Sequence, residues 1–197
     1  MNTQMFSLGK SANDLLAEAT QKKKEGNLEA AVDLLRQAYE KIKASSLDYS
    51  PGVFLRLPMY LQELGRTDEA WGEFNRLLTH GYPNQLKIPE LMPMAHAAIY
   101  DKMRLFLQRK KKHSQAVKFG VLSYLSEALG LYEQKRKEEL DLFISPREIE
   151  SLLSKLLKKT GRSDLMQRLS ELVSNECKTL RSLDVKEVAH RIDEIVR

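Results

Sequence analysis

At 197 residues, with 42% hydrophobic and 30% charged side chains, the chain has the size of one large domain or a short helical solenoid with a cap. Its single cysteine, Cys177, excludes an intrachain disulfide and a cysteine metal cluster. Of 32 Lys/Arg and 27 Asp/Glu, residues 1–100 hold 11 and 12 and residues 101–197 hold 21 and 15, so the net charge of +5 comes from the second half, where an anionic partner is to be sought.

Gly (9) and Pro (6) are scarce and Val/Ile/Thr alternation is nearly absent, which predicts an all-α protein. Met1–Lys10 lacks the apolar core of a signal peptide and no stretch approaches the ~20 apolar residues of a membrane span, so a cytoplasmic protein is expected. Residues 1–11 read as a flexible tail. Ala12–Lys24 reads as a helix with Leu15, Leu16 and Ala19 on one face. Gly26-Asn27 interrupts it, and Glu29–Lys43 continues with Ala31, Leu34, Leu35, Ala38, Tyr39 and Ile42 at helical spacing. A polar linker ends in Ser50-Pro51, a cap followed by proline at the first helical position.

The design then repeats. Phe54, Leu57, Tyr60, Leu61 and Leu64 make one stripe, Gly65 turns the chain, and Ala70, Trp71, Phe74, Leu77 and Leu78 make the next. His80–Asn84 reads as a stop. Pro58 should delay the helix that carries it or bend it, because proline removes a backbone donor. A third pair runs from Pro93 to about Lys110 and, after the basic turn Arg109–His113, from a Ser114 cap to about Leu140. Ser145-Pro146-Arg147-Glu148 is a capping box opening a helix that Gly161 breaks. Ser163 is expected to cap the next helix, and Asp184 begins a last one with Val188, Ala189, Ile192 and Ile195.

Two segments superimpose: Gly26, Asn27, Leu28, Ala31, Leu35 and Ala38 on Gly65, Ala70, Phe74 and Leu77. These residues resemble tetratricopeptide repeats, whose second helix follows a Gly-containing turn with alanine at a fixed offset. The resemblance covers residues 12–140 and weakens along the chain. Leu77 stands where a small residue is expected and Pro58 takes another small site. His113-Ser114-Gln115-Ala116 gives a weak third copy with Lys111 in the glycine's place. It implies a right-handed stack of antiparallel helix pairs over 12–140, with a C-terminal helical cap over 141–197 packed on it.

The resemblance also implies a concave groove lined by the first helix of each pair. Its groove-facing positions fall on Asn13, Thr20, Lys23 and Lys24, then Met59, Gln62 and Glu63, then Asp101, Leu105, Gln108 and Arg109. This mixed charge suits an extended peptide held by polar contacts. The Lys/Asn pairing of the family's carboxylate-clamp members is missing from the first helix. A non-enzymatic adaptor binding a protein or peptide partner is therefore expected, with no cofactor and no membrane association.

The other chemistry-bearing residues give weaker signals. His80, His96, His113 and His190 are scattered, so no metal site is expected. Cys177 has no neighbour that would activate a thiolate and reads as a small packed residue. Tyr60, Trp71 and Phe74 read as core rather than a ligand cage. The sharpest basic feature is Arg109, Lys110, Lys111 and Lys112 with Lys102, Arg104 and Lys118. It reads as a solvated turn or, alternatively, as the surface of a nucleic-acid-associated or regulatory protein. The amphipathic Asp184–Arg197 segment is either the cap of the stack or a homodimerisation helix.

Overall fold

The computed structural model describes residues 9–83, 91–137 and 144–197, and every regular element among them is helical. The helices are α1 (Ala12–Lys24), α2 (Leu28–Lys43), α3 (Pro51–Phe54), α4 (Arg56–Glu63), α5 (Thr67–His80), α6 (Met92–Arg109), α7 (His113–Lys137), α8 (Pro146–Leu157), α9 (Met166–Lys178) and α10 (Val185–Val196). Contacts group the described chain into two compact units. One holds residues 9–76 with 82–83; the other holds 77–81, 91–137 and 144–197. Residues 144–197 thus cluster with α6 and α7.

In the first unit α1 opens on a capping box whose serine, Ser11, falls within the expected tail. The Asp14 amide donates to Ser11 Oγ and the Ser11 amide donates to the Asp14 carboxylate. Leu15, Leu16 and Ala19 are buried as expected, and α1 packs on α2. Asn27 caps α2, whose amide of Ala30 donates to the asparagine side chain. Val32, outside the expected stripe, is fully buried, whereas Leu34 is only half-buried; the covered arc of α2 is wider than one stripe. Tyr39, Phe54 and Tyr82 form an aromatic cluster, with centroids 5.3 and 5.5 Å apart, and the Tyr39 hydroxyl donates to the Val53 carbonyl.

Pro58 does its work by position. Its missing amide would have bonded to the carbonyl of Phe54, the last residue of α3, and the helix is interrupted at Leu55. Pro58 then sits in the first turn of α4, where an amide has no intrahelical partner anyway. The expected late start is correct; what precedes it is a separate one-turn helix that Pro51 opens, without a side-chain cap from Ser50.

In the second unit α6 and α7 pack on each other most extensively, and Ile99, Met103, Phe106, Val117, Val121 and Leu125 are buried along the two helices. α8, α9 and α10 all pack against α7. Ser145 and Glu148 form the expected box: the serine hydroxyl accepts from the Arg147 amide and the glutamate accepts from the Ser145 amide, each at 3.3 Å. Asp184 caps α10 by accepting from the Lys186 and Glu187 amides. Two expected caps are corrected. α7 begins at His113, which puts Ser114 inside its first turn. Ser163 opens a short 3-10 turn over Ser163–Leu165 ahead of α9, and the nearby amide of Arg162 is satisfied by Thr160 instead. The expected end of the α7 helix near Leu140 lies outside the described residues, as do Asn84 and most of the expected tail.

Three turns share one hydrogen-bond pattern. Gly26 and Asn27 donate to the Lys23 and Lys22 carbonyls, Gly65 and Arg66 to Gln62 and Leu61, and Lys111 and Lys112 to Gln108 and Leu107. This is the Schellman arrangement, which needs a left-handed residue just beyond the helix. Gly26 and Gly65 supply it at φ 79° and 80°; Lys111 supplies it at φ 58° with a β-carbon. A side chain in that region costs about 1–2 kcal/mol. The third turn is therefore a geometric copy of the first two, made from a residue ill suited to it.

Candidate partner-binding surface

The expected groove positions of the first unit divide by exposure. Asn13, Thr20 and Lys24 are exposed on α1 at spacings of seven and four, with Ala17 between them, so they form one solvent-facing stripe. On α4, Met59 is half-buried, but Gln62 is only 7% exposed and engaged within the fold. Gln62 is thus removed from any open groove: on so short a helix its position turns inward with Leu61.

Lys23 and Glu63 meet as an ion pair, Lys23 Nζ lying 2.6 Å from Glu63 Oε1 and 4.3 Å from the centroid of the Tyr60 ring. Arg56 reaches the same place from the start of α4. Its Nη2 donates to the Leu16 carbonyl at 3.0 Å and to Thr20 Oγ1 at 2.7 Å, and its guanidinium lies 5.7 Å from the Tyr60 centroid. Tyr60 is therefore a buried ring faced by two cations. Sequence reading missed Arg56. Its one available signal was its place one repeat length beyond Thr20.

A second set of links joins α2 to the start of α5. Arg36 pairs with Glu69 at 2.8 Å, and Arg66 bridges Glu69 and Glu29 at 2.6 and 3.1 Å. All are partly exposed and screened by solvent, so none is a strong source of stability. Their value is geometric. Thr20–Arg56, Lys23–Glu63, Glu29–Arg66 and Arg36–Glu69 lie 36, 40, 37 and 33 residues apart, and partners rise together along the chain. α1 therefore runs parallel to α4, and α2 parallel to α5, displaced by one repeat.

In the second unit Asp101, Leu105 and Gln108 are half-buried and Arg109 is exposed on α6. Asp101 accepts from Arg104 and lies 3.5 Å from Lys102, while Arg104 Nη1 donates to Gln108 at 3.2 Å. The charges expected here for a partner are thus partly neutralised within the helix. Lys118 is likewise held, 2.5 Å from Asp193 of α10. Of the expected basic patch, Lys110, Lys111 and Lys112 are exposed and make no ion pair among the described residues.

The histidines and the cysteine do not converge. Among the described residues no group of three or more His, Cys, Asp or Glu is placed to hold a metal ion. His96 Nε2 and His113 Nδ1 are buried without a hydrogen-bond partner, and burial holds the His96 imidazole below its ordinary range. Cys177 lines a cleft of about 420 Å³ with Tyr132, Ile149 and Leu180, and burial, with Glu176 adding to it, pushes its thiol up to about 11. Trp71 is half-buried edge-on to Phe74, with centroids 6.2 Å apart. No described helix is long and apolar enough to cross a membrane. The buried stripe of α10, Val188 and Ile192, is covered within the chain where α10 packs on α7 and α9.

Compared with models of known protein families, with curated proteins and with solved structures, the chain matches none.

Proposed function

We propose that this chain is a non-enzymatic adaptor of tetratricopeptide-like build that holds a protein segment along the exposed face of its first helices. The observation that carries the reading is the displacement by one repeat: α1 lies parallel to α4 and α2 to α5, with partners 33 to 40 residues apart. Such a translation is what stacked helical repeats of about 34 residues produce. A stack of this kind leaves one face of each first helix without a neighbour, and the stripe of Asn13, Ala17 and Lys24 lies on that face of α1.

On this reading Arg56 with Thr20, Tyr60 and the Lys23–Glu63 pair set the spacing of α1 and α4, while Asn13, Lys24 and Met59 contact the partner. The partner is an extended peptide, because polar side chains at helical spacing offer hydrogen bonds to a backbone and small Ala17 leaves room for it. α10 then acts as a cap with a polar outer face rather than a dimerisation helix, and the protein works in the cytoplasm. The test is to compare the proteins that co-purify with the wild type and with Asn13→Arg/Lys24→Glu, both exposed sites, after checking that the two melt alike. Loss of one or a few prominent partners is expected. An identical set of partners would remove this face from consideration.

A further inference from the structure

The α6–α7 turn presents three consecutive lysines that make no ion pair among the described residues. Lys102 and Arg104 are held by Asp101, and Lys118 by Asp193, whereas Lys110, Lys111 and Lys112 are exposed and unpaired among the described residues. The middle lysine stands at φ 58°, in the conformation that Gly26, Gly65 and Gly161 take at their turns. A glycine there would be the unstrained choice. Backbone strain at a residue with an unused charge points from the outlier toward a function for that charge.

Favourable interaction with the end of the α6 dipole does not account for it. α1 ends on Lys22, Lys23 and Lys24 and still places glycine at the left-handed position. The dipole asks for lysines in the last turn, not for a lysine at that site.

The surroundings narrow the partner. The exposed large hydrophobic side chains among the described residues are Leu47, Leu91, Met94 and Leu131, none of them in this turn. A partner must be held here by charge alone. Three exposed lysines gain little from separate carboxylates, because such pairs are screened and entropically costly. They gain more from a polyphosphate backbone, where each neutralised phosphate releases a condensed counterion whatever the local geometry.

We propose that Lys110, Lys111 and Lys112 form a sequence-independent contact for a nucleic-acid backbone, with Lys111 supplying charge at a position where glycine would give the more stable fold. The experiment uses the full chain, a fluorescent mixed-sequence DNA duplex of about 30 base pairs, and anisotropy titrations over a range of salt concentrations. Three phosphate contacts give a log–log salt slope of about −2.7. Lys111→Gly should reduce that slope by about 0.9 while raising Tm by about 2–4 °C, so lost binding cannot be blamed on misfolding. Lys110→Gln/Lys111→Gly/Lys112→Gln should abolish the remainder. Absence of binding at low salt, an unchanged slope in Lys111→Gly, or a fall in its Tm would overturn the proposal. Equal affinity for polyglutamate of the same charge would also overturn it and assign the turn to acidic protein segments.

Discussion

Three glycines lie inside the long helices α5 and α7, and the same substitution should have a different effect at each. Alanine in place of glycine in a helix interior gains about 1 kcal/mol from backbone entropy when nothing obstructs the new methyl group. At Gly72 in α5 a β-carbon would meet nothing within 4 Å, so Gly72→Ala should gain that full amount. At Gly130 in α7 it would meet Met94 Cγ and Sδ, both at 2.6 Å, but Met94 is 40% exposed and can swing into solvent. Gly130→Ala should therefore be close to neutral. At Gly120 it would overlap both methyl groups of Leu156 and lie 3.1 Å from Arg104 Cδ. Leu156 is only 7% exposed and packs where α8 meets α7, so it has nowhere to go. Overpacking of this kind costs about 1–3 kcal/mol, which outweighs the propensity gain. Gly120→Ala should lower stability by about 1 kcal/mol and shift Tm by about 2–4 °C in the opposite direction from Gly72→Ala. Urea and thermal unfolding followed by helical circular dichroism measure both. If Gly120→Ala melts as high as Gly72→Ala, the close approach of α8 to α7 is wrong.

Arg56→Met should cost about 1 kcal/mol by removing two hydrogen bonds while Leu16 keeps the Thr20 hydroxyl as its donor. A cycle with Thr20→Val should show coupling, and strictly additive losses would argue against the contact. Hydrogen bonds from Ser11 hold the Asp14 carboxyl below its ordinary range, so the folded state binds its proton more weakly than the unfolded chain does. Its contribution is present above about pH 4 and is lost as pH falls through the depressed value. The drop in Tm between pH 6 and pH 3 should be larger for wild type than for Asp14→Asn, and equal drops would discount the box. With its thiol pushed up to about 11, Cys177 should react with iodoacetamide at pH 8 about two orders of magnitude more slowly than free cysteine. Urea should restore the ordinary rate; a fast reaction in the native protein would mean the cleft is more open than described.

Local signals carried much of the architecture. Ala31, Leu35, Ala38 and Ile42 announce their burial by spacing alone, because helix periodicity is a property of neighbours in sequence. The Ser145 box, the Asp184 cap and the break around Pro58 are legible for the same reason, since each is settled within four or five residues. The wrong caps at Ser114 and Ser163 show the limit of that reasoning. A serine before an apolar run is a frequent cap, but the α6–α7 turn closes through Lys111 and leaves Ser114 already inside the helix.

The candidate surface was only half legible. Asn13, Thr20 and Lys24 are exposed where the repeat pattern puts them, while Gln62 is turned inward and Glu63 is occupied by Lys23. Arg56 and Tyr60 enter only when two helices a repeat apart are brought side by side. What the chain by itself determined is the order of its helices and the places where they stop, because those depend on backbone donors, rotamers and turns over short spans. Tertiary structure alone decided which charges remain available. Lys118 and Arg104 look like Lys110 and Lys112 in the sequence, yet Asp193, 75 residues away from Lys118, and Asp101 neutralise the first two, leaving the lysines of one strained turn exposed.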